Sequence, residues 1–197
     1  MIFKIFDLYE TEGIVVNDVG LKDMINLSPK LILKSHGRNA QKFGQIKMNI
    51  VERLINRIGV AGHRGKKHKI IFGSSTGKYS KHAKIVLGAF DLIQKRTGKN
   101  PVEVFVKAIE NAAPRDEVTV IEYGGARYPQ AVDVSPFRRV NIALRHLVHG
   151  ASEKAFNKKK NLMQGLADEI IFAAEGNQES LAIKKRIEAE KQADSAR

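Results

Sequence analysis

The sequence predicts a mainly α fold: a six-helix bundle, a β-hairpin protruding between the third and fourth helix, and an extended N-terminal arm. Three observations predict it. Six segments carry apolar residues at helical spacing, one segment alternates around Gly124-Gly125, and residues 1–43 sustain neither period. With 197 residues and 43% hydrophobic content the chain has enough apolar surface to bury a core.

Residues 1–43 read as an arm lying over the body, with Ile14-Val15-Val16 as a short strand and a helical turn between Gly20 and Leu27. The first full helix is expected over 45–58, where Ile46, Ile50, Leu54 and Ile58 recur at i+4 and Val51 and Ile55 widen the stripe. Asn49, Arg53, Asn56 and Arg57 then face away from the core. Residues 59–77 hold five glycines and a basic cluster around Ile70-Ile71-Phe72, a loop with an apolar plug at its centre. A second helix over 78–96 starts basic and buries Val86, Phe90 and Ile93. Asn100 caps the third, with Pro101 at its first position, Glu103 completing a capping box, and Val102, Phe105, Val106 and Ile109 as its stripe.

The period then changes. Val118 and Val120, and after the turn Val132 and Val134, alternate with polar residues, so a hairpin is expected at about 117–134 with Tyr123 and Tyr128 flanking its turn. Pro129 cannot donate to a ladder and marks an edge. A lone two-stranded hairpin is marginal in water, so it must pack on the helices or on a ligand. Ser135-Pro136 opens the fourth helix, which buries Val140, Leu144, Leu147 and Val148 before a connector at Ser152-Glu153. The fifth helix is expected over 158–175 and the sixth over 180–193. Residues 1–43 thus form an arm and 44–197 a single helical domain.

The charge is distributed unevenly. Lys and Arg number 34 against 21 Asp and Glu, a net +13, and residues 34–99 alone carry 16 basic side chains against Glu52 and Asp91. Such a belt repels itself unless a polyanion neutralises it, which points to nucleic acid. No basic helix has aromatic anchors for a bilayer, and no apolar run is long enough to span one, so no membrane partner is expected. Met1 to Lys4, followed by an acidic stretch, is unlike a signal peptide.

Catalytic chemistry is missing from the pattern. Gly73-Ser74-Ser75-Thr76-Gly77-Lys78 misses the phosphate-loop spacing by one residue and has Tyr79 where a magnesium-binding hydroxyl belongs. His63 and His68 have no acidic or Cys neighbours to complete a metal site, and the chain has no Cys. His146 and His149 share a helix face as packed or solvated residues; Asp116-Glu117 and Asp168-Glu169 point apart and make no acid–base pair. No enzyme, cofactor, metal or small-molecule substrate is expected.

The words from Asn111 onward are more specific. Asn111-Ala112-Ala113-Pro114-Arg115, Gly124-Gly125-x-x-Tyr128 and Ala131-Val132-Asp133-Val134-Ser135-Pro136-x-Arg138-Arg139-x-Asn141-x-Ala143 stand in order. Ile50-Val51-Glu52-Arg53-Leu54 and Thr97-Gly98-x-Asn100-Pro101 precede them; Leu166-Ala167-Asp168-Glu169-Ile170 and Ala182-Ile183-Lys184-Lys185 follow. Together they closely resemble the small-subunit ribosomal protein seven family, over about 46–187. Asn17-Asp18 and Leu21-x-Asp23 look like the family's archaeal and eukaryotic extension.

The resemblance implies a structural constituent of the small ribosomal subunit, located in the cytoplasm. Its partners would be the 3′ major (head) domain of small-subunit rRNA, whose assembly it would organise, and neighbouring small-subunit ribosomal proteins. Exit-site tRNA and the mRNA path would lie near its hairpin and last helix. Carried over by motif, the RNA-facing residues are Arg53, Arg57, Arg127, Tyr128, Arg138 and Arg139, with Arg115 in the first word. Lys34, Arg38, Lys42, Lys47, Arg64, Lys66, Lys67, Lys69, Lys78, Lys81 and Lys84 are selected by charge. Tyr128 has two readings, stacking on a base or packing the hairpin onto the bundle, and Arg145 is expected to pair with Glu110 or Glu153. Bacterial members often carry basic residues where the first hairpin strand here has Ile121 and Glu122. An architectural DNA-binding protein is the rival reading, since a helical body with a β-arm also suits duplex DNA.

Overall fold

The computed structural model describes residues 4–60 and 77–197. The apolar plug at Ile70 to Phe72, His63 and His68 lie outside these residues. Among the described residues the element order is α1 (Val19–Lys22), α2 (Ile50–Ile58), α3 (Tyr79–Thr97), α4 (Pro101–Ala112), β1 (Asp116–Tyr123), β2 (Ala126–Asp133), α5 (Pro136–Ala155), α6 (Leu162–Glu175) and α7 (Leu181–Ser195). α1 is a single turn in the arm; the other six helices and the hairpin between the third and fourth of them match the sequence-derived architecture.

α6 is the hub, packing against α3, α4, α5 and α7 and burying Leu166, Ala167, Ile170 and Ala173. Its small residues let neighbours approach closely. A Cβ at Gly150 on α5 would stand 2.5 Å from the Glu169 carboxyl carbon, so only glycine leaves room there for that side chain. Glu169 is fully buried and serves as a molecular clasp. It accepts from Ser180 Oγ (2.7 Å) and the Ala182 amide (3.1 Å) at the start of α7, and pairs with Lys154 of α5 at 2.6 Å. One carboxylate therefore ties three helices together.

Several boundaries differ from the periodicity. α2 starts at Ile50 because Asn49 caps it, accepting from the Val51 amide, while Gly44–Lys47 forms a separate 3-10 turn. Asn49 is consequently buried rather than solvent-facing. α5 runs through Ala155, with Ser152 Oγ donating to the Val148 carbonyl inside the helix, and α6 begins at Leu162 behind the Asn161–Gln164 capping box. Ile14-Val15-Val16 is irregular, not a strand; the hairpin is the only sheet among the described residues and offers that segment no edge.

The arm is held by spaced anchors. Ile5, Tyr9, Leu21, Ile25 and Leu33 are buried, and Tyr9 packs edge-on to Phe90 at 5.8 Å while its hydroxyl donates to Asp91 at 2.6 Å. Burial, and then Asp91, push the Tyr9 phenol well above its ordinary range. Farther along, the Asn17 and Asp18 amides donate to Glu110, the Ile50 amide donates to the Asn26 carbonyl (2.9 Å), and the Ser35 amide donates to Glu52 (2.7 Å). The Tyr79 hydroxyl closes the series on the Leu33 carbonyl.

Candidate nucleic-acid interface

The hairpin turns through Gly124 (φ +58°) and Gly125 (φ +81°), the double positive-φ geometry of a type I′ turn. Its register pairs Glu117 with Val132, Ile121 with Tyr128 and Tyr123 with Ala126. Only the base is anchored. The Ala131 amide donates to the Ala196 carbonyl (3.4 Å), the Arg115 amide donates to Glu190 (3.3 Å), and Arg197 pairs with Asp116 at 2.8 Å. From Thr119 to Gln130 every residue is exposed, including Tyr123 (80%) and Tyr128 (57%). Tyr128 is thus exposed rather than buried against the bundle. The tip presents Ile121, Tyr123, Arg127 and Tyr128 to solvent.

The arginines named from the sequence divide sharply. Arg115, Arg127 and Arg138 are exposed, and Arg138 rests on Glu117 (2.7 Å) in a surface pair that contributes little. Its neighbour Arg139 is 9% exposed and engaged inward, donating to the Pro114 carbonyl (3.1 Å) and to Asp18 (2.7 Å). Burial raises the Asp18 carboxyl, but the Arg139 hydrogen bond and charge more than offset it and leave the pKa below its ordinary value. Arg53, expected to face away from the core, is 5% exposed: it donates to the Met24 carbonyl (2.9 Å) and to Asn141 (3.1 Å), and burial pulls its guanidinium down to about 10. Arg57 is half-buried across a cleft from Arg145 of α5.

Lys34, Arg38, Lys42, Lys47, Lys78, Lys81 and Lys84 are all exposed. Lys42 lies over the Phe43 ring (5.4 Å), Phe43 meets Phe137 edge-on (5.5 Å), and Arg53 lies under Phe137 (5.7 Å). This cation–aromatic ladder links the arm's charge to the α2–α5 cleft. Arg64, Lys66, Lys67 and Lys69 lie outside the described residues. Among the described residues no group of three His, Asp or Glu is placed to hold a metal.

A helical body with a solvent-facing hairpin and a run of exposed cations is therefore in place, and comparison with known proteins names its kind. Residues 26–197 match the family described as ribosomal protein S7p/S5e. A small ribosomal subunit protein uS7 of Nanoarchaeum equitans is 50% identical over the full length of both chains, and one of Methanococcus maripaludis is 44% identical, again over both full lengths.

The chain belongs to the S7p/S5e family of ribosomal proteins. Membership makes it a structural ribosomal protein and not an enzyme, with RNA binding and translation as the family's business. It also sharpens what the sequence reading missed. Arg145 does not pair with Glu110, which the Asn17 and Asp18 amides occupy, and Glu153 lies eight residues along α5, about 12 Å along its axis. The available signal was spacing: Asn141 and Arg145 at i,i+4 on α5 oppose Arg53 and Arg57 at i,i+4 on α2. The exposed run Lys158-Lys159-Lys160 between α5 and α6 is a further basic patch that neither motif nor belt included, and Lys160 is braced there on Asp168 at 3.0 Å.

Proposed function

We propose that this chain is a structural constituent of the small ribosomal subunit in the cytoplasm, binding small-subunit rRNA directly and touching neighbouring ribosomal proteins. Its site on that RNA is the 3′ major, or head, domain, whose assembly it organises, and its hairpin lies near exit-site tRNA and the mRNA path. Residues 44–197 act as one RNA-binding domain and residues 1–43 as the arm.

The observation that carries this reading is the hairpin. Two tyrosines, an isoleucine and an arginine are held in solvent on a ribbon whose base alone is anchored. Nothing in the body satisfies them, while RNA offers unstacked bases and backbone in one surface. The cations of the belt supply attraction through counterion release, with each phosphate contact adding roughly 0.7–0.9 to the salt slope. Arg127, Tyr128, Arg138, Arg115, Arg57 and the exposed lysines make the contacts; Arg53 and Arg139 act from inside, positioning α2, α5 and the arm.

Footprinting the full chain on a head-domain rRNA fragment, with duplex DNA as competitor, tests it. Protection confined to one junction and resistant to equal duplex DNA at physiological salt is the expected result. Displacement by the DNA would sink the reading in favour of an architectural DNA-binding protein.

A further inference from the structure

The hairpin is a long lever on a narrow base. Each strand has 8 residues, so the tip stands roughly 25 Å from the body, and a rotation of about 10° at the base moves it by about 4 Å. The chain enters β1 through Ala113-Pro114-Arg115 and leaves β2 through Val134-Ser135-Pro136. A proline ring fixes its own φ and keeps the residue before it out of the helical region. Ala113 (φ −82°, ψ 113°) and Ser135 (φ −59°, ψ 142°) conform. The first soft dihedral ahead of β1 is then ψ of Pro114, and that angle sets where the Pro114 carbonyl points. A donor held on that carbonyl therefore fixes the direction in which the ribbon leaves the body.

Arg139 of α5 is such a donor, with its Nε 3.1 Å from the Pro114 carbonyl. The same guanidinium is gripped at its other end by the arm. Nη2 donates to Asp18 at 2.7 Å, and Nη1 lies so close to Gly20 that a Cβ there would stand 3.3 Å from it. Asp18 is itself pinned, its amide donating to Glu110 of α4 at 3.1 Å. A polar cleft of about 960 Å³ opens between Asp18 and Val19 of the arm on one side and Arg115 and Asp116 of the hairpin base on the other, with Arg139 on its wall. With the arm docked, Arg139 is only 9% exposed. Its bond to Pro114 is then shielded from water and strong; bared to solvent, the same bond exchanges for water at little cost.

We infer that the arm aims the hairpin, with Arg139 as the positioning residue between them. Docking of Asp18 and Gly20 on the guanidinium fixes the Pro114 carbonyl, and through it the line of β1. Glu190 and Arg197 of α7 hold the base from the other side, and a single direction requires both holds. The coupling is reciprocal: a partner that fixes the tip tightens the arm, and one that draws the arm away frees the tip. This is a property of the free chain and does not depend on what the tip meets.

The chain has no Cys, so spin labels can be placed in pairs on the full chain. Glu122→Cys with Gln94→Cys reports the tip against α3, and Asp23→Cys with Gln94→Cys reports the arm; all three positions are exposed. Distance distributions from double electron–electron resonance are compared with and without Asp18→Ala. Both distributions are expected to widen by about twofold as the arm opens locally. Asp18→Asn keeps the cap on α1 and weakens only the ion pair, so it should widen both by less; it gives the same reading if the alanine variant folds poorly. Arg139→Lys, which keeps the charge but cannot span both partners, should widen the tip as Asp18→Ala does.

A tip distribution unchanged while the arm widens would show that the two move independently and overturn the inference. So would a tip that widens while the arm stays in place, or an Asp18→Ala protein in which neither moves. Tyr9→Phe supplies the control, since it loosens the arm at Asp91 and leaves Arg139 untouched. The tip should stay narrow in that variant; widening equal to that of Asp18→Ala would assign the effect to general loosening and remove Arg139 as the relay.

Discussion

The junction of α5, α6 and α7 and the tip of the hairpin use the same kinds of residue to opposite ends. At the junction, Gly150 exists so that Glu169 can be buried, and its carboxylate is engaged by Ser180, Ala182 and Lys154 of the same chain. At the tip, Gly124 and Gly125 exist so that a ribbon can reverse in open solvent, and the side chains beside them are exposed. The junction spends its chemistry on holding itself together. The tip leaves its chemistry unsatisfied, and that is what makes it available to a partner. Stability and recognition are therefore separable, and substitutions should divide along the same line.

The largest effect belongs to the junction. Glu169→Ala removes the clasp and leaves Lys154 and the Ser180 hydroxyl without their acceptor; a loss of about 3 kcal/mol in denaturant unfolding is expected. A loss below about 1 kcal/mol would mean that α7 is held by packing alone. Arg139→Ala comes next, at about 2 kcal/mol, since it strands Asp18 and frees the arm. Limited proteolysis should then cut within the first forty residues sooner than in the unaltered chain. If the arm stays protected, its other anchors suffice.

Tyr128→Ala reverses the pattern. Its effect on unfolding should stay within about 0.5 kcal/mol, because the ring touches little of the body. RNA affinity should nonetheless fall by about 1–2 kcal/mol if the ring stacks on a base. A Tyr128→Ala variant that alters folding but not binding would erase the contrast between tip and junction.

A pH dependence confined to acid conditions is also expected. His146 is depressed from 6.5 to about 4 by burial first, then by His149, Arg145 and Lys185, against an opposing pull from Glu117. The unfolded chain therefore takes up a proton in this window that the folded one refuses. The contribution is complete above pH 6.5 and is lost progressively as pH falls toward 4, by at most about 1.4 kcal/mol per pH unit. His146→Gln should flatten the stability profile across that window. Asp18 and Asp168, both depressed below 3.8, lose their contributions only at still lower pH. An unchanged slope in the variant would remove His146 as the cause.

Local features were legible in the sequence because their causes are local. Asn100-Pro101 and Ser135-Pro136 mark their helix starts within a few residues, and Gly124-Gly125 marks the hairpin turn, since caps and turns depend on adjacent atoms. The inward roles of Arg53 and Arg139 were not legible. Arg139 finds Asp18 across 121 positions and Arg53 finds Asn141 across 88, and no period records a partner so distant. The same holds for the start of α2: the apolar stripe runs back to Ile46, yet Asn49 turns inward to cap the helix and donates to Ser28 of the arm. Arg145 was visible as a spacing but not as a neighbour of Arg57, because that proximity is created by helix packing.

The hold of α7 on the hairpin has a consequence in time. Synthesis runs from the N-terminus, so both strands leave the exit tunnel well before the helix that fixes their base has been made. Through that interval the ribbon has its turn and its ladder but no set direction. Its orientation is settled only when Glu190 and Arg197 reach Arg115 and Asp116. The feature best placed to meet another molecule is thus aimed only after it has been made, by a later part of the chain.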